Sequence, residues 1–130
     1  MPGRFLPPDY SKGDEGTIGG YMAVHARPAA FEGSDGLSYS VAIETDRTGE
    51  PGRPFGAFLL FVRWRRLGSQ GVEGHLETPF LAWGNSVTEA KEALGRMPLG
   101  DVKALLDDLI RESAPAPARK WWDVMREENE

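Results

Sequence analysis

The order of patterns in this sequence predicts an α+β domain: a four-stranded antiparallel meander sheet followed by two C-terminal helices packed on one face. Three observations carry that prediction. Four stretches, at 18–26, 37–44, 55–66 and 72–83, read with the period of two of a strand. Loops rich in Gly, Pro and Asp join them without a helical pattern between, so sequential strands are expected to run antiparallel. Helical spacing comes only afterwards, at 86–95 and 98–112.

Composition sets the outer limits. With 130 residues, 40% hydrophobic and 27% charged, the chain is long enough for one core and too short for two ordinary domains. There is no cysteine, which excludes a disulfide framework and thiol chemistry. A net charge of −5 excludes a global polycation, so any nucleic-acid contact must be local. No apolar run approaches the roughly 18 residues that span a bilayer, so no membrane contact is expected. The stretch Met1–Pro8 lacks the apolar centre of a secretory leader, and the expected location is the cytoplasm.

Taken in order, residues 1–16 hold Pro2, Pro7, Pro8, Gly3, Gly13 and Gly16 and are expected to form a flexible arm, with Phe5, Leu6 and Tyr10 available to dock. A single domain is expected over 17–112. Its first strand is assigned to Ile18, Gly20, Met22, Val24 and Ala26 alternating with Gly19, Tyr21, Ala23, His25 and Arg27, and it stops at Pro28. A linker over 28–36 carries the turn signal Gly33-Ser34-Asp35-Gly36. The second strand has Leu37, Tyr39, Val41 and Ile43 on one face and Ser38, Ser40, Ala42 and Glu44 on the other. After the loop 46–54 come the third and fourth strands. Ser86 and Glu89 form a capping box that starts a helix ending near Gly95. Pro98 suits the first turn of the next, whose apolar stripe is Val102, Leu105, Leu106, Leu109 and Ile110. Residues 113–130 are expected to be a stiff Pro/Ala linker and a tail bearing Trp121 and Trp122.

Register follows if the third turn centres on Ser69. Trp64 then faces Gly74, Val62 faces Leu76, Leu60 faces Thr78 and Phe58 faces Phe80, with Gly74 making room for the indole. That face, with Tyr39, Val41 and Ile43, is expected to meet the helices. On the opposite face Arg65 meets Glu73, Arg63 meets His75 and Phe61 meets Glu77. The rest of that outer face is apolar, through Ala23, Ala42, Ala57, Leu59, Phe61, Leu81 and Trp83. A patch of this kind is rarely left bare on a monomer. Leu59, Phe61 and Leu81, with Trp121 or Trp122 of the tail, are therefore candidate interface residues, and a homodimer is the expected assembly.

Two constellations bear on chemistry. Phe61-Val-Arg-Trp-Arg-Arg66 places Arg63, Trp64, Arg65 and Arg66 on one strand, a combination suited to stacking on bases and pairing with phosphates of a single strand. The plain alternative pairs these arginines with Glu73 and Glu77 across the ladder. Four antiparallel strands followed by helices resemble the layout of the Whirly and positive-cofactor families of single-strand binders. The likeness is one of architecture, and no motif residue carries over. Trp83–Ala90 also resembles the strand-to-helix joint of HicB-type antitoxin domains over eight residues, from which no function is carried over.

His25, His75, Glu73 and Glu77 are the residues that could serve acid–base or metal chemistry. On the first and fourth strands the two histidines are about 14 Å apart at about 4.8 Å per strand, so neither metal nor cofactor is expected. No zinc-protease motif, phosphate loop or nucleophile elbow occurs. The expected function is a small interaction module, homodimeric through its outer sheet face. The alternatives are a single-stranded nucleic-acid binder and, third, an enzyme with a His/Glu site.

Overall fold

A computed structural model of the chain describes residues 7–64 and 72–113. A 3-10 turn over Tyr10–Lys12 precedes helix α1 (Ile18–His25), strands β1 (Ala29–Glu32), β2 (Ser38–Arg47), β3 (Phe55–Trp64), β4 (Val72–Glu77) and β5 (Ala82–Gly84), and helices α2 (Val87–Gly95) and α3 (Leu99–Ser113). Strands β1 to β4 form an antiparallel meander, and β5 adds to β3 beyond the end of β4, pairing Phe55 with Gly84 and Ala57 with Ala82. This is an α+β fold with α2 and α3 after the strands, as the sequence predicts. Three elements and one register differ from expectation, each for a local reason.

The stretch Ile18–His25 is a helix and not the first strand. The Thr17 hydroxyl accepts from the Gly20 amide at 3.0 Å, the Ile18 amide donates to the Met97 carbonyl at 2.9 Å, and Ala26 closes the helix in a left-handed conformation with φ 55°. Ile18, Tyr21, Met22, Ala23 and Val24 are apolar on every side, so over eight residues a period of two and a period of 3.6 fit equally. Tertiary contact decides. A Cβ on Gly19 would lie 2.9 Å from Gly95 Cα, so only glycine lets α1 lie against the end of α2.

The first strand of the meander is instead β1, in what reads as a linker. Its Ala29 is buried and Ala30 exposed, and the turn signal after it closes the β1–β2 hairpin through the Gly33 amide on the Leu37 carbonyl at 2.8 Å. The expected fourth strand is split at Thr78-Pro79. Pro79 has no amide to give, and the Thr78 hydroxyl accepts from the Leu59 amide at 3.0 Å, holding the departing chain to β3.

Between β3 and β4 the register lies one residue from the expected one. Leu60 faces Glu77, Phe61 faces Leu76, Val62 faces His75 and Arg63 faces Gly74, with an irregularity before the Trp64–Val72 pair. A slip of one exchanges the faces of β3. Ala57, Leu59 and Phe61 are fully buried under the helices, whereas Trp64 is 42% exposed. The physical reason is that Phe55–Val62 is apolar on both faces, so its own pattern cannot choose between them. Its neighbours choose. β2 alternates cleanly, with Tyr39 and Val41 buried, and pairs Val41 with Phe61 and Ile43 with Leu59.

The capping box holds in a variant form: the Glu89 amide donates to Ser86 Oγ at 3.1 Å, and Glu89 Oε1 reaches back one residue further, to the Asn85 amide at 2.9 Å. On α3, Val102, Leu106 and Ile110 are buried, and Asp107 Oδ1 accepts from the Ser34 amide at 2.9 Å, tying the helix to the β1–β2 turn. All three described helices contribute to one core cluster with the inner residues of β1, β2 and β3. No described helix is long and apolar enough to cross a membrane.

Candidate functional site

The outer face of the sheet is built by the alternate residues of the same strands. Along β3 these are Phe58, Leu60, Val62 and Trp64, all at least partly open to solvent. Cross-strand pairing sets Glu44, Ala42, Ser40 and Ser38 beside them on β2, and Glu77 and His75 beside Leu60 and Val62 on β4. Glu32, paired with Ser38, lies beyond on β1. None of the four β3 residues belongs to the core cluster or packs against it. The result is an apolar row along the central strand, flanked by Glu32, Glu44, Glu77 and His75, all exposed.

Two contacts shape the ends of the row. The Trp64 indole Nε1 donates to Ser40 Oγ at 3.0 Å, which lays the ring toward β2. At the other end Phe58 and Phe80 meet edge to face, their centroids 6.1 Å apart, and the Phe80 ring covers Gly56 where a Cβ would overlap it. A notch of about 290 Å³ opens beside them between Asp46, Glu77 and Pro79. Trp83 on β5 is capped by the Arg53 guanidinium, 4.2 Å from its ring, and Arg53 is itself paired with Glu50 at 3.2 Å.

The residues singled out from sequence fall in different places. Leu59 and Phe61 are interior, and Leu81 is half-buried against the core, so the outer surface is made by their neighbours on β3. Arg63 points inward at the end of the core, its Nη1 3.5 Å from the Tyr39 hydroxyl, while Trp64 points outward. The basic aromatic string is thus divided between two faces. Tyr39, fully buried, donates to Asp35 Oδ2 at 2.7 Å, and burial first and this bond second raise its pKa.

His25 sits in the last turn of α1, on the helical side, with Nε2 3.3 Å from Glu15 Oε1 and its ring 4.4 Å from that of Tyr21. His75 and Glu77 lie on the sheet's outer face, so the structure does not bring the two histidines together. Among the described residues no three His, Asp or Glu side chains are grouped to hold a metal ion. Arg65, Arg66, Trp121, Trp122, Phe5, Leu6 and the side chain of Glu73 lie outside what is described.

Phe58, Leu60, Val62 and Trp64 are the face residues that sequence reasoning put inside. Leu76 of β4 faces the core in the expected and in the observed register; what changes is its partner, Phe61 in place of Val62, and the apolar run of β3 carries no signal for that choice. Compared with known proteins, the chain has no significant match to a family model, a curated protein or a solved structure.

Proposed function

We propose that this domain is an interaction module whose partner is a second copy of itself, joined through the outer sheet face. The observation that carries this is the row Phe58, Leu60, Val62 and Trp64, which lies on the central strand with the three described helices on the other side. An apolar row on a sheet suits another sheet, because twisted sheets stack face to face with strands nearly aligned. A two-fold axis between the sheets and across the strands sets β3 against β3 in opposite directions. Trp64 of one copy then meets the Phe58–Phe80 pair of its partner, aromatic on aromatic at both ends.

The charges beside the row separate this reading from its rival. Glu32, Glu44 and Glu77 flank it, which opposes phosphate backbones and makes two copies repel at long range. Self-association through this face therefore strengthens as salt is added, whereas single-strand binding weakens by about 0.7 log unit per phosphate contact per decade of salt. The observation that favours the nucleic-acid reading is the exposed Trp64 indole. Sedimentation equilibrium from low to high salt tests both. The expected result is a dimer that tightens with salt and becomes monomeric, still folded, in Leu60→Glu with Val62→Glu. A monomer at all concentrations overturns the reading, and salt-sensitive retention of oligodeoxythymidine replaces it with the rival.

A further inference from the structure

A second concave surface lies on the helical side, away from the sheet's outer face. Here α1 and α2 part over the far end of β2 and leave a cleft of about 600 Å³, within the range of small-molecule sites. Its apolar lining is Ile43 and Ala23, and Gly19, Gly20 and Gly95 line it with backbone. Three cations, Lys12, Lys91 and Arg96, border it. All three are exposed, and none makes a salt bridge or a side-chain hydrogen bond with a described residue. Two acids also line the cleft. Asp14 is engaged, its Oδ1 accepting from the Gly16 amide at 2.8 Å, and Glu92 is exposed.

From this we infer that the cleft is a binding site for a small molecule with an apolar body and an anionic head. The apolar lining takes the body. The three cations, none of which forms an ion pair or a side-chain hydrogen bond with a described residue, supply the field that holds the head. Close glycine packing holds part of the wall in place. A Cβ on Gly19 would meet Gly95 Cα at 2.9 Å, and one on Gly13 would meet Gly20 Cα at 3.0 Å. These glycine segments of the wall thus pack backbone on backbone. A wall held in this way lowers the ordering cost of binding.

The probe is phenyl phosphate, followed through backbone amide shifts of the full chain, with phenol and inorganic phosphate as the separated halves. Saturable shifts are expected at Gly19, Gly20 and Gly95, with a dissociation constant on the order of 1 mM for so small a ligand. Each half alone binds more weakly than the whole. Lys91→Glu combined with Arg96→Glu weakens phenyl phosphate roughly ten-fold, since each reversal turns an attraction into a repulsion. Glu92→Gln strengthens it. These side chains are exposed, so a dispersed spectrum is expected from each variant, and Lys12→Glu serves if the double variant does not fold. The proposal is overturned if phenol binds as well as phenyl phosphate. It also fails if the charge reversals change nothing, if shifts centre on Leu60, Val62 and Trp64 instead, or if no saturation is reached.

Discussion

β2 and β3 run side by side through ten paired residues, from Ser38–Trp64 to Arg47–Phe55, yet they carry different information. β2 places Tyr39, Val41 and Ile43 inward and Ser40, Ala42 and Glu44 outward, a pattern with one solution. β3 carries large apolar residues on both faces through Phe55–Val62. Folding needs only one of those faces. The other adds nothing to this core and is a liability in water unless something covers it. The difference teaches where to look for function: a strand that is apolar beyond what its own fold can bury points to a surface with work elsewhere. That inference survives inversion of the faces. The sequence predicts Leu59 and Phe61 outside and the structure puts Leu60 and Val62 there, but under either facing an apolar row is left outside.

The sharpest way to break the comparison is to truncate both faces of β3. Phe61→Ala removes a fully buried ring and is expected to destabilise by about 3–5 kcal/mol. Leu60 is the next residue along the strand, on the opposite face and partly open. Leu60→Ala is expected to cost under about 1.5 kcal/mol in dilute solution, where the second copy is absent. Urea unfolding of both variants at low protein concentration gives the two numbers. Similar losses would mean that β3 is buried equally on both sides, and the outer row would lose its meaning.

What could be read from the sequence follows the same division. The turn at Gly33–Gly36, the caps at Ser86 and Glu89 and the buried stripe Val102, Leu106 and Ile110 rest on patterns with one solution. Ile18–His25 does not, because eight residues that are mostly apolar fit a strand or a helix, and only contact with Gly95 settles it. β1, at four residues, is too short to show a period beside a turn. The row on the outer face was legible as a surplus of apolar residues but not by residue, since a one-residue slip changes every name in it. The cleft between α1 and α2 was not legible at all while α1 read as a strand.

A smaller effect tests how β2 is anchored. Tyr39→Phe removes the hydroxyl that donates to Asp35 and is expected to lose about 1 kcal/mol. Its pH dependence has a definite sign. Burial, and then the Asp35 bond, raise the pKa of Tyr39 in the fold, while the unfolded phenol ionises at about 10. The hydroxyl's contribution is therefore complete below about pH 10 and is lost as pH rises through the higher folded value. The stability difference between wild type and Tyr39→Phe should shrink above about pH 10. A difference that stays constant there would show that the folded and unfolded phenols titrate alike.

Trp64→Ala is expected to have the smallest effect on the isolated fold, and that is what makes it informative. The indole is 42% exposed and its hydrogen bond to Ser40 is itself at the surface. Removing it from a monomer is expected to cost about 1 kcal/mol or less, far below a core aromatic. In the proposed dimer the same ring lies against Phe58 and Phe80 of the second copy, so its loss falls on association. Binding to a partner stabilises the folded state by mass action and makes the melting temperature depend on concentration. The wild type is then expected to melt higher as it is concentrated, and Trp64→Ala is expected to melt at one temperature throughout. The gap between the two proteins should be small when dilute and widen with concentration. A gap that is already large when dilute would place Trp64 in the core and restore the opposite facing of β3. A gap that never widens would leave the outer row without a second copy to cover it.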